Sequence, residues 1–457
     1  MEDAEALKKH AQFTHTFIQV SNAVSRYYQN STSIMTISGQ PISVADIIAA
    51  AVLSQTDTYL MGTKGEGKTL IAEIVQRSVM NDDALYLRGD KDLSLKDIMV
   101  KLNLDGKTDD EIFQVSENIR RPFFLVDELN RCLGLMQNQF LNIADGYIEI
   151  RGKKYYLGHE GDYSIMFATG NPPREGDYTG VFDEDIALLD RVGLILNVDD
   201  YPLTELDTLE ITERRINKRG IELGDLRGLV FEGNRAMREL AEDFVEFFGI
   251  ITSYVYNRML KMEVGGTEVN KRQVTDWRSA IESETHASGD ILSYASDVSQ
   301  RAVQSVALAE ALLLYRSGLK MAESGETEDI VSPQEIIDCY LETLVLGLRY
   351  DRRFIPWEYV QENFYGNTNE FLKKVKGSLR NEMDPEKLMD CVSSIHRSKR
   401  HFALGQVDSI KREIELMEES NSPLSKTGAN ILKMRMRREQ AGARRKKIEA
   451  MLGKMKV

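Results

Sequence analysis

The apolar positions of this chain follow two different spacings, and the change between them divides the sequence into regions. Between about residues 58 and 198, short apolar runs of strand length alternate with segments of helical spacing. From about residue 200 onwards the apolar residues recur mainly at helical spacing, and residues 1–29 also have the pattern of an amphipathic helix. The pattern predicts an α/β unit that is preceded by one helix and followed by a large helical region.

The individual elements follow from the same pattern. The predicted strands are residues 58–61, 83–88, 122–126, 163–169 and 192–198, and residues 147–157 alternate around a central glycine as in a β-hairpin. The predicted helices are residues 1–29, 42–53, 68–79, 93–102, 132–145, 205–219, 235–262 and 298–319, with a further helix that begins at Ser332-Pro333. Strands that alternate with helices predict a parallel sheet.

A glycine-rich loop joins the first predicted strand of the α/β region to a helix. It consists of Gly62, Thr63, Lys64, Gly65, Glu66, Gly67, Lys68 and Thr69. Glycines allow backbone N–H groups to turn inward around phosphates, the lysine reaches the terminal phosphates, and the threonine hydroxyl binds Mg²⁺. The following helix directs the positive end of its dipole at the same anion. The loop is therefore predicted to bind phosphates rather than to be a simple glycine-rich turn.

Two adjacent acids, Asp127 and Glu128, end the apolar run at residues 122–126. Open α/β sheets bind their ligands at the carboxyl ends of the strands. We expect Asp127 to hold Mg²⁺ through water, and Glu128 to orient and deprotonate an attacking water molecule. Alone, the pair fits a turn at a strand end equally well. At about 60 residues after a phosphate loop, it predicts the second half of a nucleotide site.

Asn171 and Arg191 are two further candidates. Asn171 follows the predicted strand at residues 163–169, where an amide can hydrogen-bond a γ-phosphate or its attacking water if the strands are neighbours. The sequence Asn-Pro is also ordinary turn chemistry. Arg191 precedes the last predicted strand and is a candidate for an arginine that acts in trans on the nucleotide of an adjacent subunit.

The charge of the chain is uneven. The formal net charge of −14 disfavours nonspecific nucleic-acid binding by the body of the protein. Residues 425–457 carry eleven Lys or Arg and two Asp or Glu, a net charge of +9, so the remainder carries −23. A basic tail on an acidic body can fold back on it, contact a neighbouring subunit or hold an acidic partner.

Length and the remaining composition restrict the class of protein. A chain of 457 residues is expected to form two or three domains. No apolar run approaches the ~20 residues of a membrane span, and the N-terminus is acidic where a signal peptide is basic, so we expect a cytoplasmic protein with no membrane segment. The three cysteines and six histidines are scattered and predict no structural zinc.

The motifs occur in a fixed order along residues 39–349. They are Gly39-Gln40, the loop from Gly62 to Thr69, Asp127-Glu128-Leu129-Asn130-Arg131, the hairpin, Ala168-Thr169-Gly170-Asn171-Pro172, Leu189-Asp190-Arg191 and Tyr201-Pro202. In this order they resemble the AAA+ ATPases and, within them, the MoxR-like branch. The chain differs from that branch at three places, and none of the differences removes a catalytic group. They are Thr63-Lys64 instead of Pro-Pro, Cys132-Leu133-Gly134 instead of Ala-Pro-Pro, and Val192 instead of Phe.

The resemblance implies a P-loop α/β core with a parallel sheet, followed by an all-α lid and a helical C-terminal extension. The implied divisions are residues 1–37, 38–200, 201–350 and 351–457. ATP and Mg²⁺ are the implied ligands, and the implied site residues are Thr69 and Asp127 at the metal, with Glu128, Asn171, Arg191 and Arg301 in catalysis. Arg301 is carried over because Ser299-Gln300-Arg301-Ala302 resembles a Ser-Pro-Arg-Ala motif of the lid; a charged residue on a solvated helix face is the alternative interpretation.

The resemblance also implies how the protein works. We expect a homo-oligomer, a hexameric ring, that hydrolyses ATP and remodels or activates a protein client, with a von Willebrand factor A domain protein as a candidate partner. The hairpin would line the pore or the face that meets the substrate. Two alternatives remain open: a motor that acts on nucleic acid through the basic tail, and a nucleotide-gated scaffold for a gas vesicle or another shell.

Overall fold

The computed structural model describes residues 2–37, 39–63, 65, 67–90, 98–102, 113–150, 152–171, 185–216, 221–264, 267–282, 290–295, 301–324, 331–348 and 357–455. The helices are α1 (Glu2–Ser25), α2 (Val44–Leu53), α3 (Lys68–Ile74), α4 (Gly134–Ala144), α5 (Ile186–Leu189), α6 (Glu205–Ile216), α7 (Arg227–Leu240), α8 (Val245–Met259), α9 (Trp277–Glu282), α10 (Arg301–Ser324), α11 (Pro333–Leu348), α12 (Trp357–Phe364), α13 (Thr368–Glu382), α14 (Pro385–Ala403), α15 (Val407–Glu419) and α16 (Pro423–Met455). The strands are β1 (Ser33–Ile37), β2 (Gln40–Ser43), β3 (Thr58–Met61), β4 (Ala84–Arg88), β5 (Val100–Leu102), β6 (Phe113–Val115), β7 (Phe123–Asp127), β8 (Tyr147–Ile150), β9 (Lys153–Tyr156), β10 (Ile165–Gly170), β11 (Leu194–Asn197), β12 (Lys261–Val264) and β13 (Thr267–Asn270).

The centre of the α/β region is one parallel sheet with the strand order β11, β3, β10, β7, β4. Met61 lies opposite both Gly170 and Asn197, and Arg88 lies opposite Asp127. The carboxyl ends of the five strands therefore meet at one edge, which we call the carboxyl edge, and their first residues meet at the amino edge. The five predicted strands are confirmed to within two residues.

Side chains of the central strands alternate between two hydrophobic cores, one on each face of the sheet. Leu60, Leu125 and Phe167 belong to the first core, and their neighbours Tyr59, Val126 and Ala168 belong to the second. Burial on both faces explains why these strands are continuously apolar instead of alternating. The predicted fold class, a parallel α/β core followed by a helical lid and a helical extension, is confirmed.

Helix α1 packs between the sheet region and the lid. Phe13 and Phe17 are fully buried, and the ring of Phe17 stacks on Tyr315 of α10 with 3.8 Å between centroids. Gly318 of α10 approaches α1 so closely that a Cβ there would lie 1.8 Å from Thr14 Oγ1. The same helix also packs on α2 and α7. The N-terminal helix thus connects the α/β core to the lid.

The lid contains a β-hairpin where the apolar spacing predicts helix. Helix α8 ends at Met259, and β12 then pairs antiparallel with β13. The Lys271 side chain is 2% exposed, and its ammonium donates to the carbonyls of Met259 and Leu292, both at 2.9 Å, and to that of Ala295. Because a side-chain donor satisfies the Met259 carbonyl, the helix need not continue. The single helix predicted at residues 235–262 is therefore wrong at its end, and it is also wrong in its middle, where the 3-10 turn Ala241–Phe244 separates α7 from α8.

Other predicted helices also begin or end elsewhere, as two examples show. Residues 100–102 of the predicted helix 93–102 form β5, paired with β6, while residues 91–97 lie outside the described part. The alternation Val100-Lys101-Leu102 fits an edge strand as well as a helix, and pairing with a second short strand decides between them. Helix α2 begins at Val44 instead of residue 42 because Ser43 and Asp46 form a capping box.

The C-terminal extension packs on the lid. Arg258 of α8 donates to Glu382 of α13 at 3.0 Å and to Asp290 at 2.9 Å. In α15, Val407, Ile410, Ile414 and Met417 recur at heptad-like spacing in the sequence; the last three are buried, whereas Val407 at the start of the helix is exposed. Leu424 and Leu432, in the first part of α16, are buried in the same hydrophobic core.

Among the described helices, none has both the length and the apolar character that a membrane crossing requires. The three cysteines are buried free thiols.

Candidate active site

The glycine-rich loop leaves β3 at the carboxyl edge and leads into α3. Gly62 has φ +149°, and a Cβ there would lie 2.5 Å from Val198 Cγ2. The backbone N–H of Thr63 donates to both carboxylate oxygens of Asp199, at 2.8 and 2.9 Å. Val198 and Asp199 directly follow β11, the strand next to β3. The end of β11 therefore fixes the first half of the loop.

The second half of the loop is supported from the N-terminal segment. Gly67 has φ +86°, and a Cβ there would lie 2.9 Å from the ring of Tyr28. Both conformation and space therefore require glycine at this position. Lys64 and Glu66, which the sequence assigns to the same loop, lie outside the described residues.

Lys68 and Thr69 form the first turn of α3. Lys68 is buried, and its ammonium donates to the carbonyls of Gly62 and Thr63, each at 2.7 Å. Thr69 Oγ1 donates to Asp127 Oδ1 at 3.0 Å across the edge of the sheet. The loop, the lysine and the first acid of β7 are thus in contact, as the sequence predicts.

Three hydroxyl groups converge on the Asp127 carboxylate. Besides Thr69, Thr169 Oγ1 donates to Oδ1 at 2.6 Å, and the Tyr86 hydroxyl donates to Oδ2 at 3.1 Å. Burial, with the charge of Asp127 adding to it, raises the pKa of Tyr86 to about 12, so this phenol remains a donor at neutral pH. A carboxylate beside a threonine hydroxyl is an oxygen donor set of the kind that Mg²⁺ prefers, so the residues present fit that ion.

Glu128 occupies a constrained position just beyond the strand. Its φ is 58° and its ψ is 48°, a left-handed conformation that is uncommon for a residue with a side chain. Its N–H donates to Thr169 Oγ1 at 3.0 Å, and its carboxylate forms ion pairs with Arg131 at 2.9 Å and Arg88 at 3.8 Å. A Cβ on Gly89 would lie 2.1 Å from the Glu128 carbonyl oxygen, so glycine is required on the neighbouring strand as well.

The ends of β7 and β10 are joined a second time by two asparagines. Asn130 is buried, and its Nδ2 donates to the carbonyl oxygen of Asn171 at 2.9 Å. Asn130 Oδ1 has no hydrogen-bond partner among the described residues. Asn171 is half-buried and directly follows β10, the strand next to the one that ends in Asp127.

Arg191 does not join this cluster. It precedes β11, and Leu194 at the start of that strand donates its N–H to the carbonyl of Asp57 at the amino edge. The guanidinium of Arg191 donates through Nε to both carboxylate oxygens of Asp145 at 3.1 Å and through Nη1 to the Ala187 carbonyl at 3.0 Å. Burial raises the pKa of Asp57 well above its usual range, and the neighbouring carboxylate of Asp145 adds to this.

Arg301 is the first residue of α10, and its side chain lies outside the described part of the chain. Several residues of the cluster receive no role from the sequence motifs, namely Tyr28, Tyr86, Arg88, Thr169 and Asp199. Thr169 carries a signal, since it is a hydroxyl at the end of an apolar strand. The others are recognisable only once the strands have been placed side by side.

Comparison with known proteins tests the fold. No protein-family model matches the chain, and no curated protein matches it. Solved structures do match, 325 chains in all. One of them is a candidate ATPase from Cytophaga hutchinsonii, at 15% sequence identity and a TM-score of 0.52, over 82% of this chain and 98% of that one. At this identity the likeness establishes the fold, a five-stranded parallel sheet with surrounding helices and a large helical region after it.

Proposed function

We propose that the chain is an ATP-hydrolysing AAA+ protein of the MoxR-like type that assembles into a ring and remodels or activates a protein client. The observation that carries this proposal is the meeting of Lys68, Thr69, Asp127, Glu128 and Asn171 at the carboxyl edge of one parallel sheet. A phosphate loop beside two acids and an amide is the arrangement used for phosphoryl transfer to water.

The chain's own groups divide the work of hydrolysis. The loop and Lys68 bind the phosphates, while Thr69 and Asp127 would hold Mg²⁺, which supplies positive charge to the phosphate oxygens. Glu128 orients the attacking water and takes its proton once the carboxylate leaves Arg131. Asn171 positions the same water or the γ-phosphate.

The location of Arg191 supports a trans role. The four residues of β11 span roughly 10 Å, and Arg191 precedes the strand by three more residues. Its guanidinium is bound at the amino edge, whereas the site of its own subunit lies at the carboxyl edge. A site in a neighbouring subunit is then the natural target, and hydrolysis should depend on assembly.

The hairpin β8–β9 is the part of the core that we assign to the client. Tyr156 is 67% exposed, and Lys154 lies over the Tyr147 ring at 4.1 Å. Exposed aromatic and basic side chains on a two-stranded projection suit contact with a protein chain. A von Willebrand factor A domain protein is the first partner to test, on the strength of the resemblance.

The test of this proposal is the ATPase rate per subunit as a function of protein concentration, with particle mass measured in parallel. We expect the rate per subunit to rise with assembly and GTP to be a poorer substrate. Nucleotide binding without turnover at every assembly state would overturn the proposal in favour of the gated scaffold. Salt-sensitive DNA binding that is lost on deleting residues 425–457 would favour the nucleic-acid motor.

Replacing Thr169 by valine should lower kcat about 10- to 30-fold. The substitution keeps the shape but removes the hydroxyl that holds the Asp127 carboxylate and accepts the Glu128 N–H, and misplaced catalytic groups cost rates of this order. Thr169→Ser keeps the hydroxyl and should stay within about threefold of the wild type, a comparison that rests on the same positioning argument. Steady-state ATPase kinetics check both variants, and equal rates for Thr169→Val and Thr169→Ser would contradict the assigned role.

A further inference from the structure

The carboxylate of Asp145 is the feature that the proposed chemistry leaves unused. Asp145 caps the C-terminal end of α4, and its N–H donates to the Leu141 carbonyl at 3.0 Å. The guanidinium of Arg191, 46 residues later in the chain, donates to both of its oxygens at 3.1 Å. The Ala187 carbonyl at 3.0 Å is the other partner of the arginine among the described residues.

This arrangement fixes the direction of a long side chain. An arginine has several rotatable bonds, and much of its freedom must be lost before it can act at a defined point. The Nε–H is shared between the two oxygens of Asp145 and the Nη1–H is bonded to the Ala187 carbonyl, so two different nitrogens of the planar guanidinium are held, which restricts it more than one hydrogen bond does. The Arg191 side chain is 26% exposed and that of Asp145 is 34% exposed, so the pair lies at the surface, where a neighbouring subunit can reach it.

We propose that Asp145 is the positioning residue for the trans-acting arginine: it holds Arg191 in the orientation that the site of the adjacent subunit needs. The inference rests on the proposed function. It assigns to Asp145 no contact with nucleotide. Asp145 also directly precedes Gly146 and the β8–β9 hairpin, which we assign to the client. The residue that orients the arginine is therefore next in the chain to the hairpin.

The test uses Asp145→Asn in the full-length assembled protein. Asparagine keeps the size and one acceptor but removes the charge, and we expect kcat to fall about tenfold while the KM for ATP changes less than about twofold. Combining Asp145→Asn with Arg191→Ala should lower kcat no further than Arg191→Ala alone, because the aspartate acts only through the arginine. The matched control is Asp162→Asn, which breaks a surface Asp–Arg pair of 2.8 Å to Arg238 and should leave kcat unchanged.

Mixed assemblies separate a trans effect from damage to the variant's own site. Asp145→Asn subunits are mixed with an excess of Glu128→Gln subunits, which contribute intact arginines but do not hydrolyse. The rate per Asp145→Asn subunit should return towards the wild-type value. Failure to recover, when Arg191→Ala subunits do recover, overturns the positioning role, as does a wild-type kcat for Asp145→Asn. If Arg191→Ala itself has no effect, the trans site of the proposed function is what fails.

Discussion

Replacing Glu128 by glutamine should lower the rate of ATP hydrolysis on the order of 10³-fold while ATP remains bound. A general base contributes about 10²- to 10⁴-fold, and glutamine can hold a water molecule but cannot take its proton. The backbone should not change, because glutamine has the same size as glutamate and can adopt the same left-handed conformation, with φ 58°. Both ion pairs, with Arg131 and Arg88, become neutral contacts, and neither arginine binds the phosphates in this scheme.

A matched control for this substitution exists on the same core. Glu117 forms an ion pair with Arg120 at 3.4 Å, with the same three-residue spacing as Glu128 and Arg131, but both partners are exposed. Glu117→Gln should hydrolyse ATP at the wild-type rate. Single-turnover kinetics and equilibrium binding of labelled ATP distinguish lost chemistry from lost binding. A Glu128→Gln protein that retains a tenth of the activity would require another base.

A residue's role is predictable from the sequence where it depends on local spacing, and not where it depends on the meeting of distant segments. The phosphate loop and the two acids at the end of β7 are each contained within a few residues, and the parallel topology brings them together without further information. The position of Arg191 at the amino edge also follows from the sequence, because it precedes a strand whose direction the topology fixes. Its pairing with Asp145 does not, since acidic residues are common and spacing along the chain does not select one of them.

The misassigned end of α8 has a physical cause of the same kind. The ammonium of Lys271 is bound by backbone carbonyls. Every residue has a carbonyl, so no pattern of side chains in the sequence predicts where this lysine binds. A lysine in a polar segment is normally solvated, and here it is 2% exposed. Thr169 is the intermediate case: its position at the end of a buried strand marks it, but the two groups that it joins are visible only in the folded chain.

Replacing Arg191 by alanine should lower kcat by about 10³-fold or more in the assembled protein and leave ATP affinity within about twofold. An arginine supplied in trans stabilises charge that develops only in the transition state, and such residues contribute about 10³- to 10⁵-fold. Arg191→Lys keeps the charge but loses the planar guanidinium, whose Nε is held by Asp145 and whose Nη1 is held by the Ala187 carbonyl, so it should recover only a small part of the rate. Arg238→Ala removes another arginine that is paired with an aspartate at the surface and should have no effect.

Mixing decides whether the arginine acts on its own site or on the neighbour's. Arg191→Ala subunits keep a complete carboxyl edge, and Glu128→Gln subunits keep a complete amino edge, so each supplies what the other lacks. With Glu128→Gln in excess, most Arg191→Ala sites face an intact arginine, and the rate per Arg191→Ala subunit should approach that of the wild type. If the mixture is no faster than the sum of its parts while particle mass shows mixed assembly, the arginine acts in cis or only on folding. The roughly 10 Å between the two edges makes the cis outcome physically demanding, because the side chain would have to leave Asp145 and cross the length of β11.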